Sequence, residues 1–380
     1  MKIVEVNSRK LLNSFIKFPF ELYKNDPYWV APLIMEQKKI FNKKKNPYFE
    51  HSEAQFFLAY KDNEVKGRIS AHTNTQHNKT HNDKVGFFGF FECVNDQEIA
   101  DALFDAAGDW LLNRKMDTMR GPASFSVNDE CGLLVDPFDS SPMLMMTYNP
   151  EYYLDLLENY GFKKAMDLLA YHVEVKEPPE RLARLSRKIE ERGHFTVRAL
   201  SSKNKRKLRS DIETIYRIYE EAWKNNWGYV PCSAKEFDQI VDKLMPIIKP
   251  EFVFIAEIDN KPVGLSVTLP DYNFVLKKIR GRLFPFGWLK FLLNVNKIPG
   301  LRVPIMGVLD EYKNRGIDVV FYCKSFETAV NHKNPYADAE FSWILESNEM
   351  MNKIAESLTG EVYKRYRMYD INICAKRKHD

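Results

Sequence analysis

The sequence predicts a mixed α/β fold made of two copies of one strand-rich unit. The first sign is an internal repeat. Phe57-Leu-Ala-Tyr-Lys-Asp-Asn-Glu-Val-Lys-Gly67 reads alongside Phe254-Ile-Ala-Glu-Ile-Asp-Asn-Lys-Pro-Val-Gly264. Each is an apolar strand, an Asp-Asn turn and a second strand carrying a glycine, which is hairpin chemistry. The second sign is the match between Asn149–Gly161 and Asn348–Gly360, each read as a helix start followed by a closing glycine. Third, each half sets a strand (Val85–Cys93; Leu301–Leu309) before a helix (about Gln97–Lys115; about Gly316–Asn331). The joint falls at Lys176-Glu-Pro-Pro-Glu180, where paired prolines end a strand and stiffen a short linker. The expected domains are therefore 1–176 and 177–380.

In chain order, a strand over Lys2–Val6 leads to Asn7 or Ser8, either of which caps a helix running to about Phe18. A Pro- and aromatic-rich loop (25–32), a short helix and the run Lys43–Lys45 precede the first hairpin. A polar loop then carries His72, His77 and His81. His77-x-x-x-His81 has no adjacent Glu and no helical pattern around it, so a solvated loop is expected and no metal. Asn95-Asp96 caps the next helix where the second half has a glycine turn, so the first half is expected to lack a phosphate cradle. The stretch Phe125–Met143 is irregular and rich in acceptors, with Asn128, Asp129, Glu130, Asp136 and Asp139. Carboxylates suit a reaction that binds and deprotonates an ammonium, and the same side chains also cap turns. On the functional reading, Asn128, Asp129 and Glu130 face the substrate.

The second half opens with a helix over Lys203–Asn225 whose start is very basic, a pattern read as a solvated face and not a nucleic-acid contact. Trp227 and Tyr229 follow and either form an apolar wall for the acceptor or staple the loop to the core. The insertion Asp271–Gly300 interleaves basic residues with Phe274, Phe284, Phe286, Trp288 and Phe291. It suits peripheral contact with an anionic membrane, and equally a domain interface or an apolar acyl tunnel. A strand from Ala339 to Asn348 carries Glu340 and Glu346, either of which is placed to act as a base, and enters a helix over Glu349–Leu358. Tyr363, Tyr366 and Tyr369 lie on the closing strand.

The segment Val303–Lys324, V-P-I-M-G-V-L-D-E-Y-K-N-R-G-I-D-V-V-F-Y-C-K, reads as strand, polar turn, glycine and helix. The first amides of a helix lack partners within it, and the dipole makes that end an anion site. Gly316 is expected to let a phosphate reach the backbone. G-V-L-D-E-Y-K-N-R-G-I resembles the acyl-CoA-binding segment of the GNAT acyltransferase superfamily, with Lys313 and Gly316 on its motif and Asp318 where the family has a small residue. The last segment also resembles Fem-type aminoacyltransferases, themselves tandem GNAT proteins. The resemblance implies two GNAT-like units, each a mixed, mostly antiparallel sheet flanked by helices. It implies acetyl-CoA or a longer acyl-CoA as co-substrate, held by Met306, Gly307, Val308, Lys313, Asn314, Arg315, Gly316, Ile317, Asp318 and Asn348. The tyrosine many members use as the acid falls at Ala355, so Tyr366 or a neighbour is expected to replace it.

Composition closes off other classes. No run of about 18 apolar residues predicts a membrane span, and M-K-I-V-E-V-N-S has no signal-peptide core. Five scattered cysteines and a net charge of +4 suggest neither a disulfide frame nor a polyanionic partner, and predict a cytoplasmic, at most membrane-peripheral protein. The function expected is an acyl-CoA-dependent N-acyltransferase acting by direct attack of a small-molecule or lipid amine, leaning toward long chains and a sphingoid base or lipo-amino acid. The alternative is a GNAT-shaped binding protein without catalysis. Oligomeric state is not legible.

Overall fold

The repeat becomes two arrays of strands and helices that meet in one sheet. The computed structural model describes residues 1–178, 180–201, 205–359 and 361–376. Pro179, Lys203 and Gly360, read above as linker, helix start and helix end, lie outside them. The first-half strands are β1 (Lys2–Glu5), β2 (Ala54–Lys61), β3 (Glu64–Thr73), β4 (Val85–Cys93), β5 (Thr118–Gly121), β6 (Leu133–Asp136) and β7 (Lys163–Glu174). The second half supplies β8 (Phe195–Ala199), β9 (Val253–Ile258), β10 (Lys261–Pro270), β11 (Gly300–Val308), β12 (Asp338–Leu345) and β13 (Lys364–Asn372). The helices are α1 (Arg9–Leu22), α2 (Ile34–Ile40), α3 (Thr75–His81), α4 (Gln97–Leu112), α5 (Tyr153–Tyr160) and α6 (Glu180–Gly193), then α7 (Lys205–Trp223), α8 (Ala234–Leu244), α9 (Asn273–Ile279), α10 (Gly287–Asn294), α11 (Ile317–Val330) and α12 (Glu349–Thr359).

Both hairpins turn on left-handed Asp-Asn pairs, with φ of 54° and 64° at Asp62 and Asn63 and 49° and 62° at Asp259 and Asn260. Those angles match the twist of the flanking strands. On one face, α4 buries Leu103, Phe104, Ala107 and Leu111 in a cluster with Ile69, Ala71 and Phe88 of the sheet. In the second half, Val320 and Phe321 of α11 pack with Phe254, Ala256 and Val263. Burying each such large side chain stabilises by about 1.5–3 kcal/mol.

The sheet order is β1-β2-β3-β4-β5-β13-β7-β12-β11-β10-β9-β8, with β6 also on β13. Each half's closing strand therefore sits in the other half's array. β13 pairs β5 from Tyr369↔Gly121 to Asn372↔Thr118, and β7 pairs β12 from Asp338↔Glu174 to Leu345↔Leu168. Charges lock the crossing. Arg367 Nε lies 2.7 Å and Arg365 Nη1 3.2 Å from the carboxylate of Asp167, whose side chain is fully buried. Burial alone would raise that carboxyl; hydrogen bonds from Arg367, Lys164 and Arg365 prevail and hold it down at about 2. Arg120 makes a two-pronged bond to Asp370 at 2.8 and 2.7 Å across the β5–β13 seam.

Several local expectations are corrected. His77 and His81 lie on a helix, α3, and His72 on β3. His72 and His77 are buried, and burial pushes each imidazole down to about 3, so both are neutral. No group of three or more metal-ligating side chains occurs among the described residues. Asn149 does not start a helix; its side chain bridges the N–H and C=O of Leu134, and α5 begins at Tyr153. The irregular stretch after Phe125 contains β6, which the sequence reading missed because it is only four residues long.

Candidate active site

The site grows from the way β11 leaves its neighbour. β11 and β12 run parallel and pair only from Gly300↔Asp338 to Val303↔Phe341. Beyond that, β11 stays with β10 (Ile305↔Val267 to Val308↔Gly264) while β12 stays with β7. Against β10, the register slips between Val267 and Leu269, which oppose Ile305 and Arg302, so β11 carries one extra residue there. That is a bulge beside Pro304, a residue with no N–H to offer a ladder. A wedge opens between the two strands as a result.

At the top of the wedge, β11 passes through a short turn into α11. Gly316 caps the helix at φ 76° with no side-chain cap, and Asn314 is also left-handed at φ 63°. Among the described residues, no carbonyl or side chain accepts from the amides of Asn314, Arg315, Gly316 or Ile317. Four bare amides at the positive end of a helix form an anion cradle, which fits the diphosphate of coenzyme A. Arg315 is exposed and lies 5.2 Å over the Tyr312 ring. Lys313 is paired with Asp310 at 2.6 Å. The expected role of Gly316 changes: a Cβ there would come within 2.7 Å of Ile189 on α6. Its bareness serves the left-handed turn and the packing of α6. Asp318 lies next to this cradle; burial raises its carboxyl, while the amides of Val319 and Asp318 oppose the rise.

At the foot of the wedge, Arg302 and Glu340 face each other across β11 and β12, 3% and 0% exposed. Arg302 Nε donates to Ser342 Oγ at 2.8 Å and Nη1 donates to the Leu144 carbonyl at 2.9 Å. Glu340 accepts from Ser342 Oγ and from the Tyr363 hydroxyl. Tyr366 is fully buried beside them, and its hydroxyl has no partner among the described residues. Burial, then the nearby Glu340 charge, raises its pKa, so it keeps its proton. A buried pair held by several hydrogen bonds is costly to break by removing one member.

The acidic loop arrives from the first half. Its waist is closed by Ser124 N–H donating to the Glu130 carbonyl at 2.8 Å and by a bridge between Ala123 and Cys131. Its tip docks on the second half through Asn128, whose amide donates to the Val230 carbonyl at 2.8 Å and whose carbonyl lies 3.4 Å from the Tyr219 hydroxyl. Asp129 and Glu130 are exposed by accessible surface, while the protein packed around them disfavours their charged forms. Burial pushes both carboxyls up to about 6. For Glu130 the neighbouring Asp129 charge adds to the rise and Arg302 opposes it, which ties the loop electrostatically to the foot of the wedge. Glu130 and Tyr366 thus both feel the charge of Arg302, while Asn128 is engaged by Val230 and Tyr219.

Other candidates fall elsewhere. Glu346 accepts from the Asp167 amide at 3.0 Å and from Lys164 at 2.6 Å. With both oxygens engaged in the strand crossing, it is a structural residue and not a base. Trp227 lies under Arg120 at 4.9 Å and packs against a first-half core, so it staples the halves. Tyr229 is buried; its carbonyl accepts from His81 at 2.8 Å, and its side lines a cleft of about 700 Å³ that also touches Tyr216, Ile218 and Leu309. Gly307 has no side chain because the Trp223 ring fills that space. Met306 packs into two cores, Val308 flanks one of them, and Asn348 caps α12 by accepting from Met351 N–H at 3.3 Å. Sequence reading missed Arg302, Tyr219 and Ser342. The available signal was a charge, Arg302 between Leu301 and Val303, in a stretch otherwise read as buried strand.

No protein-family model matches the chain. It is 35% identical over 369 residues to Protein YghO of Escherichia coli, covering 95% of this chain and 93% of that one. It is 34% identical over 376 residues to the bacterial ceramide synthase of Caulobacter vibrioides, covering 97% of each. In fold it is similar to a tandem GNAT protein from the clavulanic acid biosynthesis pathway, with TM-score 0.56 over 98% of both chains at 8% identity. The chain belongs to the same family as Protein YghO and the bacterial ceramide synthase, and it has the tandem-GNAT fold. A second structure that resembles this tandem GNAT is the glucosamine N-acetyltransferase region of a fungal β-N-acetylglucosaminidase, at TM-score 0.57 and 11% identity over 97% of this chain and 38% of that one.

Proposed function

We propose that this tandem GNAT is an acyl-CoA-dependent N-acyltransferase that joins a long acyl chain to an amphiphilic amine, a sphingoid base being the favoured acceptor. The observation that carries the reading is the wedge between β11 and β12, with unpartnered amides at its top and a dense group of carboxyls and hydroxyls at its foot. The 34% identity to a protein named bacterial ceramide synthase supports the acceptor class. Acyl-CoA, when bound, supplies an acyl group activated as a thioester; the amine forms the new C–N bond and the thiol departs.

The residues divide the work by position. The amides of Asn314–Ile317 and the Arg315 guanidinium hold a diphosphate. Glu130, with a carboxyl near 6, is ionised at neutral pH and takes a proton from the acceptor ammonium. Asp129 shares that negative field, which attracts a cation. Arg302, anchored by Ser342 and Leu144, keeps Glu340 in place. The Tyr366 hydroxyl, protonated and without a partner among the described residues, is the proton donor in this reading, buried beside Glu340. Positioning two reactants in one cleft supplies the rest of the rate.

Asp318 favours a second reading, a binding protein without turnover, since its carboxylate sits where a bound diphosphate brings like charge. Calorimetry with coenzyme A and palmitoyl-CoA, followed by thiol release with sphingoid and water-soluble amines, separates the two. Binding with thiol release specific to the sphingoid amine is expected. Binding with no release across the amine panel establishes the second reading, and no binding at all rules out both.

A further inference from the structure

We propose that the insertion between β10 and β11 docks this protein on an anionic lipid bilayer. The insertion folds as α9, a turn and α10. Its apolar side chains are divided between two faces. Phe291 stacks on Tyr272 with centroids 5.9 Å apart and, with Val295, packs into the body of the second half. The other face is turned outward: Phe284 and Phe286 are 77% and 70% exposed, and Trp288, Leu289, Leu292 and Leu293 are exposed too. At helical spacing the last four span an arc of roughly 140° on α10. A helix that is apolar on both sides is one that both sides cover, and six large apolar side chains on one knob exceed ordinary surface scatter.

Charge identifies the cover. Residues 272–299 contain six Lys or Arg and no Asp or Glu. Lys277, Lys278, Arg280, Arg282, Lys290 and Lys297 are all exposed, and none forms an ion pair with a carboxylate among the described residues. A second copy would bring like charges together, whereas an anionic bilayer offers negative headgroups around an apolar interior. Trp288 suits the boundary: its indole N–H donates to the Pro285 carbonyl at 2.9 Å, leaving the ring free to enter the interface. No helix among the described residues is long and apolar enough to cross a membrane, so the contact is peripheral.

The knob enters β11 at Gly300, next to the Arg302–Glu340 foot of the wedge and at the opposite end from the α11 cradle, roughly 26 Å along the strand. An amphiphile drawn from the bilayer would meet the acidic foot while the diphosphate sits at the far end. That step rests on the acceptor reading; the docking stands on the surface alone.

The test is flotation of purified full-length protein with phosphatidylcholine vesicles, with and without phosphatidylglycerol. Wild type should float with anionic vesicles and stay down with neutral ones. Phe284→Glu/Phe286→Glu should lower the bound fraction about tenfold or more, and Arg280→Glu/Arg282→Glu should do the same and remove the salt sensitivity. Equal thermal unfolding of the variants and wild type keeps misfolding out of the result. Wild type remaining unbound to anionic vesicles overturns the proposal, as does Phe284→Glu/Phe286→Glu floating like wild type. A dimer on size exclusion that Phe284→Glu/Phe286→Glu makes monomeric, without vesicle binding, makes the knob a self-association face and also overturns it. Because flotation needs no turnover, a failed acyltransfer assay leaves this result readable.

Discussion

The two halves repeat one motif and end it differently. In the second half, β11 and β12 part after Val303 and Phe341. In the first, β4 and β5 pair from Val85↔Thr118 to Phe87↔Arg120, and the chain then stays closed. Ala123 N–H donates to the Phe88 carbonyl at 2.9 Å, and a Cβ at Gly89 would collide with the Ala123 carbonyl. The helix starts differ in the same sense. Asp96 caps α4 through the Ile99 amide and is paired with Lys61 at 2.8 Å, so that end already holds its anion. Gly316 leaves α11 uncapped. A repeated fold keeps one open wedge because backbone-on-backbone closure and a carboxylate cap have sealed the other, while the sealed half contributes the acidic loop to its partner's cleft.

This contrast can be broken in four ways, taken from the largest effect down. Glu130→Gln should reduce kcat about a hundredfold or more while leaving coenzyme A binding by calorimetry unchanged. In wild type the rate should rise with pH through about 6, as the raised Glu130 carboxyl loses its proton, and the variant should lose that dependence. Gly89→Ala, which forces the sealed wedge apart, should cost about 2 kcal/mol or more in chemical denaturation, without creating a second coenzyme A site. Arg315→Glu should weaken coenzyme A binding about tenfold at unchanged melting temperature; equal affinity would place the diphosphate elsewhere. Asp96→Ala should cost about 1 kcal/mol of stability through the lost cap and leave coenzyme A affinity unchanged, since the Asp96 carboxylate already occupies the first-half helix start.

How much was legible follows from how local each feature is. The Asp62-Asn63 and Asp259-Asn260 turns were readable because left-handed Asn and Asp are a property of two residues. The β11–α11 junction was readable for the same reason. Gly316 was noticed for its missing side chain, but Ile189, which fills that space, lies 127 residues earlier in the chain, and no local pattern reports it. Arg302 and Glu340 sit in apolar strands and come opposite each other because β11 and β12 run parallel and pair at that position. Glu346 looked like a candidate base because its partners, Lys164 and Asp167, come from the other half. The exchange of β7 and β13 was not legible at all, since either strand has the alternation that suits either position.

That exchange has a consequence for synthesis on the ribosome. When the first half has emerged, the slot between β5 and β7 is vacant, and the strand that fills it, Lys364–Asn372, is made only after β8 to β12. The early product therefore waits with an unpaired edge and an incomplete core until β13 has been made. A stop codon at the Pro-Pro joint should not yield a smaller stable protein; it should yield a sticky intermediate that binds a co-expressed peptide carrying that final strand.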